Sequence, residues 1–302
     1  MSDILVVGSL NADLVVRAPR FPQPGETISG DDLQVIPGGK GANQAVAAAR
    51  LGAKVSMLGR VGTDNFSDVL IGNLQQSNVD TAPIRRDNAS TGTAIIVVDK
   101  DGQNSIVLSP GANGKMTNAD VENASFPSGG LLVLQLEIPL PTVIGAAQLA
   151  HKNGMRVLLN PAPAQQLPDE LISLADFLIP NETELSLLAA TPVSDIVSAE
   201  KAARKLLNGG AKNVVVTLGS KGAFFVNAET SGRVDAFKVD VVDTTAAGDA
   251  FVGGFATSIL ENKSLEESVR FGCACGALAA TKFGAQPSLP TREDVERFMS
   301  AG

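Results

Sequence analysis

The segment Val242-Asp243-Thr244-Thr245-Ala246-Ala247-Gly248-Asp249-Ala250-Phe251 carries an extended stretch into a helix through a run of small residues. Backbone N–H groups at a helix start have no intrahelical acceptor, and small side chains let an anion approach them. Ala246, Ala247 and Gly248 could therefore cradle a developing phosphate charge. Asp249 falls in the first turn, where the helix dipole favours an ionised carboxylate, from a reference pKa of about 3.9. That makes it a weak base, which suffices for a dissociative phosphoryl transfer that removes the alcohol's proton late. An N-capped helix with an acidic first turn accounts for the same residues without any chemistry.

Other polar residues sit where strands end. Pro37-Gly38-Gly39-Lys40-Gly41-Ala42-Asn43 is a glycine-rich turn before an alanine-rich helix. It is not a Walker A loop, because Gly41 follows Gly39-Lys40, and it is not G-x-G-x-x-G, because residue 44 is Gln. A packing turn explains the glycines; Lys40 and Asn43 also suit sugar hydroxyls. Asn11 and Asp13 follow the first apolar run, and Glu137 ends the run Leu131 to Leu136, where a carboxylate can accept from hydroxyls or simply be solvated. Asn181 reads as an N-cap with Glu184 completing a capping box, and Thr217-Leu218-Gly219-Ser220-Lys221-Gly222 reads as a glycine turn or hairpin. His151, the sole histidine, precedes Lys152-Asn153-Gly154 near a helix end, which suits a charge role and not catalysis. With no G-x-S-x-G elbow, a serine-hydrolase triad has no support.

The elements that must position these residues alternate. Ile4–Gly8, a helix from about Asn43 to Leu51, Val55–Leu58 and a helix from about Phe66 to Gln76 are followed, after residue 130, by strand runs at 131–136, 157–159, 177–179 and 214–216. Such alternation builds βαβ units around a mostly parallel sheet. Asp13–Val35 and Thr93–Leu108 break it. The second contains two β-rich runs around Asp99-Lys100-Asp101-Gly102, a hairpin signal, so both segments are expected to form a small sheet lying as a lid over the carboxyl ends of the main strands. Ala247–Phe283 reads as two helices parted near Asn262-Lys263-Ser264, with a last helix from Arg292.

With 24 basic and 32 acidic residues, no Trp and no Tyr, the 302-residue chain lacks the charge and stacking surface of a nucleic-acid binder. An anion must therefore be held by local amides and single lysines. No apolar run reaches membrane-spanning length, and the start from Met1 lacks the pattern of a signal peptide, so a cytoplasmic protein is expected. Cys273 and Cys275, one residue apart in a helical stretch, are expected to be reduced thiols.

Six segments, in order, resemble the ribokinase branch of the PfkB carbohydrate kinase family: Asn11-Ala12-Asp13, Pro24-Gly25-Glu26-Thr27, Gly38 to Ala45, Asn160-Pro161-Ala162-Pro163, Pro180 to Glu184, and Gly284 to Ser288. The similarity runs from Ile4 to about Phe298. It implies one kinase domain over residues 1–302, a three-layer, Rossmann-like α/β fold with helices on both faces of the sheet, and a lid from about 13–36 and 92–109. It implies that Asn11, Ala12, Asp13, Gly39, Lys40, Gly41, Ala42, Asn43 and Glu137 line a D-ribose site and that Asp249 activates the 5-hydroxyl. Ala246, Ala247 and Gly248 would form the anion hole, and Asn181, Thr217–Gly222 (Thr217, Leu218, Gly219, Ser220, Lys221, Gly222), Gly248, Asp249 and Cys273 would meet ATP. Glu184 would hold Mg²⁺ through water. A K⁺ would sit at Asp243, Thr245, Ala279, Lys282, Gly284 and Ser288, and two chains would pair through their lids. Two positions depart from the wider family. Alanine at 246 replaces the usual glycine and leaves the amide unchanged; Cys273 stands where a polar residue often approaches the adenine.

A kinase of 2-deoxyribose or another small sugar is the near alternative. Asn11-Ala12-Asp13 favours ribose, since an extra polar group rewards an extra hydroxyl. An NAD-dependent dehydrogenase shares the α/β pattern but lacks its glycine fingerprint here, and a catalytically silent sugar sensor would not need Asp249.

Overall fold

Both faces of the central sheet are covered, and the first strand explains why. In Ile4–Val7 all four residues are buried; Ile4 and Val6 join one apolar cluster, Leu5 and Val7 the other. A strand alternates its side chains, so a continuous apolar run fits only between two helical layers. The computed structural model describes residues 3–301; Met1 and Ser2, which open the sequence, lie outside them.

The sheet has nine strands in the spatial order 231–234, 223–227, 213–217, 177–178, 156–159, 131–134, 4–7, 55–58, 79–80. Neighbours from 213–217 to 79–80 are parallel, and the hairpin 213–217/223–227 and strand 231–234 finish one edge antiparallel. One face is covered by the helices Lys40–Arg50, Asn65–Gln76, Ala247–Leu260 and Leu265–Ala279, the other by Leu140–Lys152, Glu182–Leu188 and Ile196–Asn208. The mostly parallel three-layer α/β architecture matches the expectation. Cys273 and Cys275 are free buried thiols, and among the described residues no helix is long and apolar enough to cross a membrane.

Four further strands form the small sheet, in the order 34–38, 11–17, 92–98, 104–109. The strand 11–17 starts at Asn11, earlier than the sequence boundary of about 13, because Asn11 pairs with both Gly38 and Gly92. Asn11, Asp13, Val15 and Arg17 therefore share one face and Ala12, Leu14 and Val16 the other. On the second face Val35, Leu14, Ile95 and Val107 lie in register across all four strands, and Val35, Ile95 and Val107 are exposed. The opposite face meets the core, where the Arg17 guanidinium lies 4.7 Å from the centre of the Phe283 ring.

The glycine-rich turn is itself helical. In place of the expected Asn43–Leu51, the helix spans Lys40–Arg50, entered through Gly39 at φ 88°, and the Asn43 amide donates to Gly39 O at 2.8 Å. Only glycine adopts that φ freely, and a Cβ at Gly39 would also lie 2.7 Å from the Asn11 nitrogen. Lys40, Asn43 and Gln44 thereby occupy i, i+3 and i+4, one face of the first turns. The helix start presses on the end of the first strand: a Cβ at Gly41 would lie 2.6 Å from Ser9 N and 2.8 Å from the Gly8 carbonyl carbon. Since that obstacle is backbone, Gly41→Ala is expected to destabilise the fold by about 1–3 kcal/mol. At Gly72, inside the helix Asn65–Gln76, an added Cβ would meet nothing within 4 Å. Gly72→Ala should instead stabilise by about 0.5–1 kcal/mol. Urea unfolding midpoints of the two variants check the opposite signs.

Candidate active site

Four carboxylates surround one lysine beyond the carboxyl ends of the central strands. Asp13 comes from the inner face of the lid, Glu137 from the loop after the strand Leu131–Leu134, Glu184 from the start of the helix Glu182–Leu188, and Asp249 from the first turn of Ala247–Leu260. Burial pushes the Lys40 ammonium down, but Asp249, Glu137, Glu184 and Asp13 together push it above its ordinary range, so it stays charged. The acids feel the crowding in the opposite sense. Burial, then the charges of Glu137 and Asp249, raise Asp13 to about 7 against the pull of Lys40.

Asp249 is held by two amides. Asn43 Nδ2 donates to its Oδ2 at 2.9 Å and Gln44 Nε2 to its Oδ1 at 2.9 Å. Burial raises its pKa, opposed by Lys40, Asn43 and Gln44. The helix dipole read from the sequence favours the ionised form, and burial of this first turn acts against it and raises the pKa. Beside it, among the described residues, the Ala246 and Gly248 amides have no backbone acceptor, whereas the Ala247 amide turns back to Thr244 O at 3.2 Å. A Cβ at Gly248 would meet nothing within 4 Å, so that side of the helix start is open.

Glu137 is tied to the glycine-rich turn, its Oε2 accepting from Ser9 Oγ at 2.6 Å and from the Lys40 amide at 3.1 Å. Its strand ends at Leu134 and not at Leu136, which leaves Glu137 on a loop. Asn113, from the short 3-10 helix Gly111–Lys115, grips Leu10 N and O, each at 3.0 Å, and donates to Asn11 Oδ1 at 2.8 Å. With its oxygen taken, Asn11 has its NH₂ left for a ligand. Asn43 Oδ1 is buried without a partner, an acceptor suited to a hydroxyl donor. Gly39, Gly41 and Ala42 contribute backbone and space, but Ala12 turns its side chain to the lid's other face. A cleft of about 130 Å³, lined by residues including Asp13, Val15, Ile36, Ile96, Asp243, Thr245 and Phe283, lies under the lid. A wider groove of about 690 Å³ opens between Leu5, Leu58 and the 123–128 segment, away from these acids, so converging charge and not volume marks the site.

Asn181 and Glu184 do form the reciprocal capping box, with the Glu184 amide donating to Asn181 Oδ1 at 2.8 Å and the Asn181 amide to Glu184 Oε2 at 2.9 Å. Glu184 is nonetheless buried and raised above its ordinary range by that burial, against the pull of the Asn181 amide and Lys40. Asn181 bridges to Thr217, which brings the tight turn Gly219–Lys221 to the same edge. Ser220 and Lys221 are exposed there, and Gly222 has φ 90°, whereas Leu218 packs into the core. Cys273 also belongs to the core, its thiol pushed up to about 12 by burial, so it remains protonated. His151 pairs with Asp176 at 3.1 Å near the amino ends of the strands, away from the site.

At the proposed cation loops, Asp243 Oδ1 accepts from Thr245 N at 3.0 Å and Thr245 Oγ1 at 2.5 Å, and Oδ2 accepts from Gly284 N at 2.9 Å. The Lys282 amide donates to Ala279 O at 3.2 Å, and Ser288 Oγ to Ala285 O at 2.7 Å. Asp243 thus ties the 243–245 segment to Gly284, and its carboxylate is the one acidic group among the six residues. Among the described residues no group of three or more His, Cys, Asp or Glu side chains is placed to hold a metal ion.

Sequence reasoning did not single out Gln44, Gln135, Asn160, Asn113 or Ser9 as working residues. Gln135 left a signal, a polar side chain inside the apolar run Leu131–Leu136; Asn113 left none, because its partner Asn11 is 102 positions away.

The chain matches the pfkB family carbohydrate kinase description over residues 1–292. It is 47% identical to the ribokinase of Haemophilus influenzae over 98% of each chain, and 39% identical to the deoxyribokinase of Salmonella typhi over 99% of each. The solved structure of Arabidopsis thaliana ribokinase complexed with ribose and ATP superposes with a TM-score of 0.90 at 37% identity, covering 99% of this chain and 98% of that one. Fold, full-length identity and the acid-ringed lysine agree, and the chain belongs to the PfkB family of carbohydrate kinases.

Proposed function

We propose that this chain transfers the γ-phosphoryl group of ATP to the 5-hydroxyl of D-ribose. The observation that carries the reading is Asp249, gripped by Asn43 and Gln44 next to the unpaired amides of Ala246 and Gly248. A base and an anion hole on one helix turn are what an in-line transfer from a phosphate to an alcohol requires. The ribokinase relatives supply the sugar, and the Arabidopsis complex supplies ribose and ATP together.

In this reading Asp13, the Asn11 NH₂, Asn43 Oδ1, the backbone of 39–42 and Lys40 hold the sugar hydroxyls, while Glu137 sets the turn that carries Lys40. Asp249 accepts the 5-hydroxyl proton; burial raises its pKa, which makes it a better base than a solvated aspartate, while Lys40, Asn43 and Gln44 favour its ionised form. The Ala246 and Gly248 amides face the transferring phosphoryl charge, with Ala247 completing the turn. Asn181, Thr217 and the Gly219–Gly222 turn line the nucleotide side, and Glu184 would hold the hydration shell of Mg²⁺, which when bound neutralises phosphate oxygens. Asp243 and Thr245, with oxygens of Ala279, Lys282, Gly284 and Ser288, would hold K⁺, which adds positive field behind the amides. The exposed stripe Val35, Ile95 and Val107 supports a homodimer through the lids, and two reduced thiols accord with a cytoplasmic location.

The deoxyribokinase relative favours 2-deoxyribose as the second reading. ATP consumption measured with ribose, 2-deoxyribose and fructose, in K⁺ and in Na⁺, separates them: ribose should give the highest kcat/KM, and K⁺ should stimulate in wild type but not in Asp243→Ala. Equal rates on all three sugars would reject ribose, and indifference to the cation would reject the K⁺ site. Asp249→Asn should fold normally and lose about 10²–10⁴-fold in kcat; near-wild-type turnover would remove the base from this scheme. Hydroxyls that donate to Asp13 favour its ionised form, so sugar binding should lower its pKa from about 7 and release a proton when the pH lies below that value. Affinity should then fall as pH drops below neutrality. Titration calorimetry at pH 6 in buffers of different ionisation heat would detect the proton, and its persistence in Asp13→Asn would assign it elsewhere.

A further inference from the structure

Behind Asp249 the grip of Gln44 continues into a chain of buried amide side chains, Gln135 and Asn160, to which phosphoryl transfer assigns no task. Gln44, 1% exposed, donates through Nε2 to Asp249 Oδ1 at 2.9 Å and to Asn160 Oδ1 at 3.0 Å. Its Oε1 accepts from Gln135 Nε2 at 2.6 Å, and Asn160 Nδ2 donates to Ile179 O at 2.9 Å. Each amide has only one orientation. The Ile179 carbonyl can only accept, so Asn160 must turn its NH₂ there and its oxygen to Gln44; an ionised Asp249 can only accept, so Gln44 must give it NH₂. Gln44 Oε1 then faces Gln135, which must present its own NH₂. Both ends dictate the same arrangement.

That arrangement leaves Gln135 Oε1 buried with no partner, and a Cβ at Gly8 would lie 2.1 Å from it. An unpaired buried acceptor keeps its full desolvation penalty, which a marginally stable domain does not carry without reason. Apolar residues would fill the same space without that penalty. The chain of amides is therefore explained by what it does at its Asp249 end.

We propose that Gln44, its amide locked by Gln135 and Asn160, is a positioning residue that fixes the plane of the Asp249 carboxylate, so that a free lone pair meets the hydroxyl to be deprotonated. Asn43 holds Oδ2 and Gln44 holds Oδ1, and two donors on two oxygens remove the rotation that one alone would allow. The charged groups around Asp249 are Lys40 on the same helix as Gln44, Glu137 on the loop after Leu131–Leu134, Glu184 at the start of its helix and Asp13 on the lid strand. Burial and Glu137 favour the protonated acid; Lys40, Asn43 and Gln44 oppose them. Loss of the Gln44 donor must move the Asp249 titration upward.

The inference rests on the sugar-kinase reading, and its test separates the two. Gln44→Met keeps length and removes all three side-chain hydrogen bonds, to Asp249, to Asn160 and from Gln135; Gln44→Glu keeps size and sets a second carboxyl beside Asp249; Gln135→Met breaks the lock from behind. For each, kcat, the KM for ribose and the pH profile of kcat/KM are measured, with urea unfolding as the control for fold. Gln44→Met should lose about 10–100-fold in kcat, the range for a hydrogen bond to a charged group, with KM changed less than kcat. The acid limb should rise by about one pH unit in Gln44→Met and further in Gln44→Glu, whose activity should recover as pH rises. Gln135→Met should shift the limb in the same direction by less. In an Asp249→Asn background the Gln44→Met substitution should cost about threefold or less, because the group it positions is gone. A merely structural glutamine would lose the same factor in both backgrounds and leave the limb in place; either result overturns the proposal. If Gln44→Met does not fold, Gln44→Glu and Gln135→Met decide the matter through the limb. Wild-type protein inactive on every sugar would overturn the kinase reading itself, whereas an active wild type with unshifted variants would overturn only the role of Gln44.

Discussion

Lys40 facing four carboxylates sets the terms for the rest of the structure. A buried lysine prefers to lose its proton and a buried aspartate to gain one, and their closeness opposes both tendencies. The balance is uneven: burial first, and the neighbouring carboxylates second, raise Asp13, Asp249 and Glu184. Such a site repels a polyphosphate on charge alone, and the chain as a whole carries −8. The favourable partner for a phosphate must therefore be backbone amide, which adds partial positive charge without a further side chain. The unpaired amides of Ala246 and Gly248 stand beside the acid that most needs an opposing field. Closeness of this kind demands backbone contact between elements, and Gly39 and Gly41 permit it where the Lys40 helix meets Ser9 and Asn11.

The fold was largely legible because its signal is local. A four-residue apolar run such as Ile4–Val7 declares burial on both faces, and the alternation of such runs with helical segments declares a parallel sheet. The hairpin around Asp99–Gly102 was equally plain, since the turn chemistry is in the four residues themselves. Boundaries shifted where distant pairing decides them: Asn11 joins the lid strand because Gly38 and Gly92 flank it, and the helix begins at Lys40 because Gly39 takes a left-handed φ.

The candidate site was legible through motifs and less so through physics. Asp249 could be read as a first-turn acid, yet its pKa direction depends on burial by helices and lid that no local window contains. The amides that orient the polar groups were hidden for the same reason. Gln135 meets Gln44 across 91 positions and Asn113 meets Asn11 across 102, so neither pairing leaves a pattern in either segment. Leu218, Ala12 and Cys273 show the limit from the other side: each adjoins a motif, and its side chain packs into the core or onto the other face of the small sheet, which no local window reveals.

One strand joins the two surfaces of the lid. Along Asn11–Arg17 the odd positions give Asn11 and Asp13 to the acid-ringed site, then Val15 and Arg17 to the contact with Ile36 and Phe283. The even position Leu14 lies in the outer stripe with Val35, Ile95 and Val107. Period-two alternation leaves no freedom to move one set without the other, since a slip of one residue would exchange the faces. Whatever covers the outer stripe must therefore also restrain the strand that carries Asp13. A partner seated there would stiffen the sugar-facing side without touching it, adding to the restraints that the strand already has from Asn113 at Asn11, from the Val15 and Arg17 contacts, and from its two neighbouring strands.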